Sequence, residues 1–135
     1  MSFSNYAAQA LLNYMFGKTS NFDTQPTIYV ALFTTTPGED GTGGVEVSGG
    51  AYARVATAAG DWNAATSADP SVVSNANAVT FPTATGAWGD VISFGLYDAS
   101  SGGNYLGGGA LGTSKSPTTD DVPSFAAGSL EVTLD

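Results

Sequence analysis

The hydrophobic period of this chain changes once, and that change limits what it can fold into. Up to Phe16 the apolar residues recur at helical spacing. From Thr27 onward they recur mostly at every second residue, in short runs separated by Gly, Pro, Asn and Asp. A period near 3.6 lines up one stripe of a helix, whereas a period of two fills one face of a strand. One helix followed only by strands and turns predicts a mainly β protein: an antiparallel β-sandwich, jelly-roll-like, with one short N-terminal α-helix.

The helix is expected over about residues 4–16. Ser4 stands at the N-cap, and Ala7, Leu11, Leu12, Met15 and Phe16 share a broad apolar face. Gly17 supplies a stop, with Lys18 beside the negative helix end. About three turns of helix are marginal alone, so the apolar face is expected to dock on something, the chain's own sheet ahead of a neighbouring subunit.

After a loop, "TSNFDTQP", the run "TIYVALFTT" (27–35) is apolar on both faces and predicts a central strand. "AYARVATA" predicts a second strand, with Tyr52, Arg54, Ala56 and Ala58 on one face. Further strands are expected in "AVTFP", ended by Pro82, in "DVISFGLYD", and more weakly in "NYLGGGAL". The closing "SLEVTLD" alternates cleanly, with Leu130, Val132 and Leu134 pointing one way. The stretch from Gly60 to Asn77 reads as a long loop anchored by Trp62. No repeat or linker divides the 135 residues, so a single domain over 1–135 is expected.

Composition removes several chemistries. The chain has no cysteine and no histidine, which excludes disulfides, thiolate nucleophiles and the commonest general base. Twelve acidic residues against three basic ones give a net charge of −9, which repels phosphate backbones and anionic lipid, so neither nucleic acid nor membrane is an expected partner. The start lacks the basic segment and long apolar core of a signal peptide, no transmembrane run is visible, and folding in a cytoplasm is expected.

Motifs for catalysis fail on context. "GGGALG" matches G-x-G-x-x-G in form, but "TSKSPTT" follows it and cannot open the helix that a phosphate site needs. The pairs Glu39–Asp40 and Asp120–Asp121 lie in turns without the spacing of a calcium loop. Neither lysine in this helix-poor chain belongs to an S-x-x-K nucleophile motif. The expectation is a binding or structural protein with no enzyme activity, no cofactor and no metal.

One cation stands out. Arg54, the chain's single arginine, lies in "EVSGGAYARVA" close to Glu46 and Tyr52. It is either a surface ion pair with Glu46, worth about 0–1 kcal/mol, or a planar anchor that grips a carboxylate with two nitrogens, inside this subunit or across an interface. Arg54, Tyr52, Glu46, Tyr97 and Tyr105 are the interface candidates.

The ordered segments "NYAAQALLNYMF", "IYVALFTTTPGEDGTGGVEVSGGAYARVA", "AVTFPTATGAWGDVISFGLYDASSGGNYLGGGAL" and "SFAAGSLEVTLD" together resemble a family of small tailed-bacteriophage virion proteins. The resemblance implies a structural component of the virion, assembled in the host cytoplasm, and carries over no catalytic residue. Its members include cement-like head proteins and proteins labelled minor tail or tail-fibre. A short chain without a fibrous repeat favours capsid decoration: a homotrimer bound to the major capsid protein at capsomer junctions, with Arg54 as an anchor whose loss would weaken assembly and leave the isolated fold intact. The alternative is a minor tail or fibre-associated protein, partnered by tail proteins, that contacts a host receptor through Trp62, Trp88, Tyr97 or Tyr105 on exposed loops.

Overall fold

The computed structural model describes residues 3–18 and 27–134. Its elements, in chain order, are α1 (Asn5–Met15), β1 (Ile28–Thr35), β2 (Val45–Glu46), β3 (Val55–Thr57), a 3-10 turn (Ala59–Asp61), β4 (Ser71–Ser74), β5 (Val79–Thr80), β6 (Val91–Tyr97), β7 (Tyr105–Lys115), β8 (Ser124–Phe125) and β9 (Glu131–Leu134). All strand pairings are antiparallel, so the chain is mainly β with one short helix, as its periodicity predicts. The segment "TSNFDTQP" lies outside the described residues.

β1 and β6 form the centre. They pair from Tyr29 opposite Tyr97 to Phe33 opposite Ser93, and β7 continues the sheet beyond β6. The other edge of β1 is shared by two short strands, β3 opposite Ile28–Val30 and β2 opposite Phe33 and Thr35. One face of this five-stranded sheet presents Val30, Leu32, Phe94 and Leu96 to the main core. Its second layer consists of two two-stranded ribbons, β4–β9 and β5–β8, which supply Val79, Phe125 and Val132; the adjoining segments add Phe81, Trp88 and Leu130. The opposite face carries a smaller cluster of Ala31, Phe33 and Tyr97, with Tyr29 and Tyr105 against it. Buried Asn75 ties the ribbons together: its Nδ2 donates to the carbonyls of Asn77 and Ala126, and its Oδ1 accepts from the Leu130 amide. No group at that joint is left unpaired, which is what lets an amide sit in an apolar interior.

The helix starts and stops where the sequence places its signals. The Ala7 amide donates to Ser4 Oγ at 3.1 Å, and Gly17 adopts φ 66° just past the end. Its docking face differs from the expected one. Ala7 and Ala10 are buried against β7, while Leu12, Met15 and Phe16 are 56%, 67% and 73% exposed. Two backbone bonds set this rotation: the Ser4 amide to the Leu106 carbonyl, and the Asn5 amide to the Glu39 carbonyl. A bulge in β7 between the Leu96–Gly107 and Tyr97–Tyr105 pairs leaves Leu106 outside the ladder, so its carbonyl is free to receive the helix start.

Other strand boundaries also move. "AYARVATA" yields only Val55–Thr57, because Gly49, Gly50 and Ala51 form a turn with φ of 74°, 56° and 65° that uses up the strand's beginning. The loop expected from Gly60 to Asn77 contains β4, paired along its length with β9. Leu134, opposite Ser71 at the end of that ribbon, is 39% exposed, so the inward row of β9 stops at Leu130 and Val132. The segment around "NYLGGGAL" is part of an eleven-residue strand, with glycine in place of the β-branched residues that would have marked it.

The glycines of this run serve strand approach rather than a phosphate. A Cβ at Gly108 would run into the Phe94 carbonyl oxygen and the Gly95 Cα, whereas one at Gly112 would meet nothing within 4 Å. Gly108→Ala is expected to destabilise the protein by about 1–3 kcal/mol through overpacking. Gly112→Ala should stay within about 0.5 kcal/mol of the parent. Urea unfolding of the two variants side by side checks both.

Candidate functional site

The five residues singled out in the sequence meet in one network. Glu46 lies on β2, and Tyr52 and Arg54 lie on the extended segment between the 49–51 turn and β3. Arg54 grips Glu46 with two nitrogens: Nε donates to Oε1 at 2.8 Å and Nη2 to Oε2 at 2.9 Å. The Tyr52 hydroxyl donates to Glu46 Oε1 at 2.8 Å and accepts from the Leu32 amide at 3.0 Å. On its other side the guanidinium reaches a loop, Nη1 donating to the carbonyls of Ala99 and Gly102 at 2.9 and 2.8 Å. Its Cζ sits 3.7 Å from the centroid of the Tyr97 ring, and Tyr105 follows with its ring 5.6 Å from that of Tyr97.

This resolves the two readings of Arg54 in favour of the anchor within one subunit. The Arg54 side chain is only 7% exposed and that of Glu46 26%, and four of the five N–H groups of the guanidinium are satisfied inside the chain. Lysine could supply neither the paired geometry nor the flat face over Tyr97. These contacts lie inside one subunit, so the loss of Arg54 is expected to weaken the isolated fold as well as any assembly.

Electrostatics follow from the same contacts. Burial pushes the Glu46 carboxyl up, but the hydrogen bonds from Arg54 and Tyr52 and the charge of Arg54 outweigh it, and the pKa is held below its ordinary 4.5. The Arg54 pKa is raised, first by its hydrogen bonds to Glu46. Burial raises the pKa of Tyr52 and Tyr97 above 10 and that of Tyr105 to about 12. The site is a closed brace of fixed charges, suited to holding shape.

What it holds is the loop 98–104. Asp98 closes that loop by accepting from the amide of Asn104 at 2.7 Å and from its Nδ2 at 2.8 Å, while Arg54 fixes the carbonyls of Ala99 and Gly102. Sequence reasoning missed these carbonyl partners, because a backbone oxygen has no signature in the sequence. The available signal was Asp98 at a strand end followed by Gly102–Gly103, a turn pattern.

Other candidates lie elsewhere and differ from the aromatic platform considered above. Trp88 is 4% exposed in the main core and donates from Nε1 to the Gly50 carbonyl. Trp62 packs half-buried against that core and donates to Thr57 Oγ1. Both indoles therefore serve as internal anchors, and Tyr97 is buried beneath Arg54. The loop acids cap turns: Asp40 accepts from Thr42, and Asp121 from Thr118. Among the described residues, no three acidic side chains converge as a metal site would require.

Two expectations follow. Arg54→Lys should cost about 2 kcal/mol, and Arg54→Ala about 3 kcal/mol or more, since the alanine variant leaves Glu46 with Tyr52 but no counter-ion and leaves two loop carbonyls unpaired; equilibrium denaturation measures both. Because the folded-state pKa of Glu46 is depressed, its contribution is fully present above pH 4.5 and drains away as pH falls through the lower folded value. Glu46→Gln should therefore show a shallower loss of stability below that pH than the parent, read from unfolding midpoints across an acid series.

No curated protein matches the chain. A family model described as podophage GP4 fiber I protein gp80 matches residues 2–133. With nearly the whole sequence covered, and an antiparallel β fold carrying the motifs that suggested a phage virion component, the chain belongs to the family of the podophage GP4 fiber I protein gp80, a family of phage structural proteins.

Proposed function

We propose that this protein is a fibre-associated component of a phage tail, where a rigid β-domain presents its loops to neighbouring tail proteins or to a host receptor. The fibre description of the matching family is the observation that carries this reading, and it favours the tail over capsid decoration. The role is structural and requires no catalytic centre.

The contact surface differs from the aromatic one first considered, since the tryptophans point inward. The loop 98–104 offers small polar groups instead: Ser100, Ser101 and the glycines at 102 and 103 are exposed, on a frame fixed from beneath by Arg54. A pre-ordered loop loses little freedom on binding, so a small polar surface gains affinity from being held in shape. Loops on a rigid sheet are also where binding residues usually sit.

Copy number separates tail from head. Quantitative mass spectrometry of purified particles should find a few to tens of copies per particle, far below the major capsid protein. A ratio near one would return the protein to the head lattice and to decoration.

A further inference from the structure

The outer face of α1 is built to be covered. Leu12, Met15 and Phe16 follow helical spacing on the side turned away from the Ala7–Ala10 face, and all three are more than half exposed, with half-buried Ala8 and Leu11 at the border of the stripe. Such a stripe gains nothing from facing water, and α1 is already docked through its alanines, so these larger residues are not needed to hold it in place.

Charge identifies the occupant. In a chain of net charge −9, the run from Asn5 to Phe16 contains no acidic or basic residue, so two copies can meet there without bringing carboxylates together. Its two ends carry opposite signs. The Asn5 amide bonds to the carbonyl of Glu39, placing an acidic turn at the start of α1, and the Lys18 amide bonds to the Asn13 carbonyl, placing a cation at its finish. Turning a second copy through 180° lays Lys18 of each chain beside Glu39 of the other and opposes the helix dipoles.

We infer that α1 is a self-association surface, on which two copies of this chain pair antiparallel through Leu12, Met15 and Phe16 with Lys18–Glu39 contacts at both ends. Three large side chains on one short helix fall short of the roughly 800 Å² per partner of a stable complex, so the pair forms reversibly and at high local concentration. This pairing does not depend on which part of the virion the protein occupies.

Sedimentation velocity over a series from low micromolar to near-millimolar protein tests it. The parent is expected to shift from monomer to dimer with concentration, and the double variant Met15→Ser, Phe16→Ser to remain monomeric with an unchanged unfolding midpoint, because both side chains are exposed. Lys18→Glu should weaken association about tenfold by replacing two attractive contacts with repulsive ones, and adding Glu39→Lys should restore it. A monomer throughout the series overturns the inference and leaves the face to a different virion protein. So does a dimer indifferent to Met15 and Phe16, a trimer, or a charge reversal that the second exchange fails to rescue.

Discussion

The fork of Arg54 on Glu46 closes the one edge of the central sheet that its backbone leaves incomplete. β1 has β3 beside its first residues and β2 beside its last, each too short to persist alone. Between them, Leu32 is served by Tyr52, whose hydroxyl accepts its amide, and by the Val47 amide, which donates to its carbonyl. The ion pair then ties Glu46 on β2 to the segment that leads into β3. Two strands of two and three residues thus act as one edge because side chains bridge the gap. Tyr52 carries the connection inward, its ring stacked on Phe81 and edge-on to Trp88. Tyr97 carries it to the other sheet face, under the guanidinium.

How much of this was legible depended on whether an element announces itself through side chains. β1, β6 and β9 do, because Val, Ile, Leu and Phe recur through them, and α1 does through Ser4 and Gly17. β2, β5 and β8, two residues each, hold too few positions for any period to register, although Pro82 gave β5 away. β7 was underestimated because close approach to β6 demands glycine at positions 107–109, and glycine reads as a break. For the helix, periodicity identified an apolar stripe, but small residues won the docked position. Alanine lets a helix approach a strand closely, a steric advantage that hydrophobicity alone does not reveal.

The site was legible in its members more than in its meaning. Arg54 was conspicuous as the single arginine, and the nearby Glu46 and Tyr52 are its partners. Tyr97 and Tyr105 lie over forty residues further on and join it because β6 runs antiparallel to β1, which puts Tyr97 opposite Tyr29 at the end near β3. That the cluster braces a loop followed only from the structure. The tryptophans follow the commoner expectation for a sandwich: each indole N–H has an internal acceptor, so they anchor the fold and offer no receptor platform.

The loop 98–104 is gripped through the carbonyls of Ala99 and Gly102 and closed through Asp98 and Asn104, so the bonds that shape it run past Ser100 and Ser101. A carbonyl is common to every amino acid. The shape of the loop is thereby uncoupled from the identity of its tip, and those two positions can be rewritten without loosening the frame beneath them. The tip is therefore a place where sequence can change at little risk to folding.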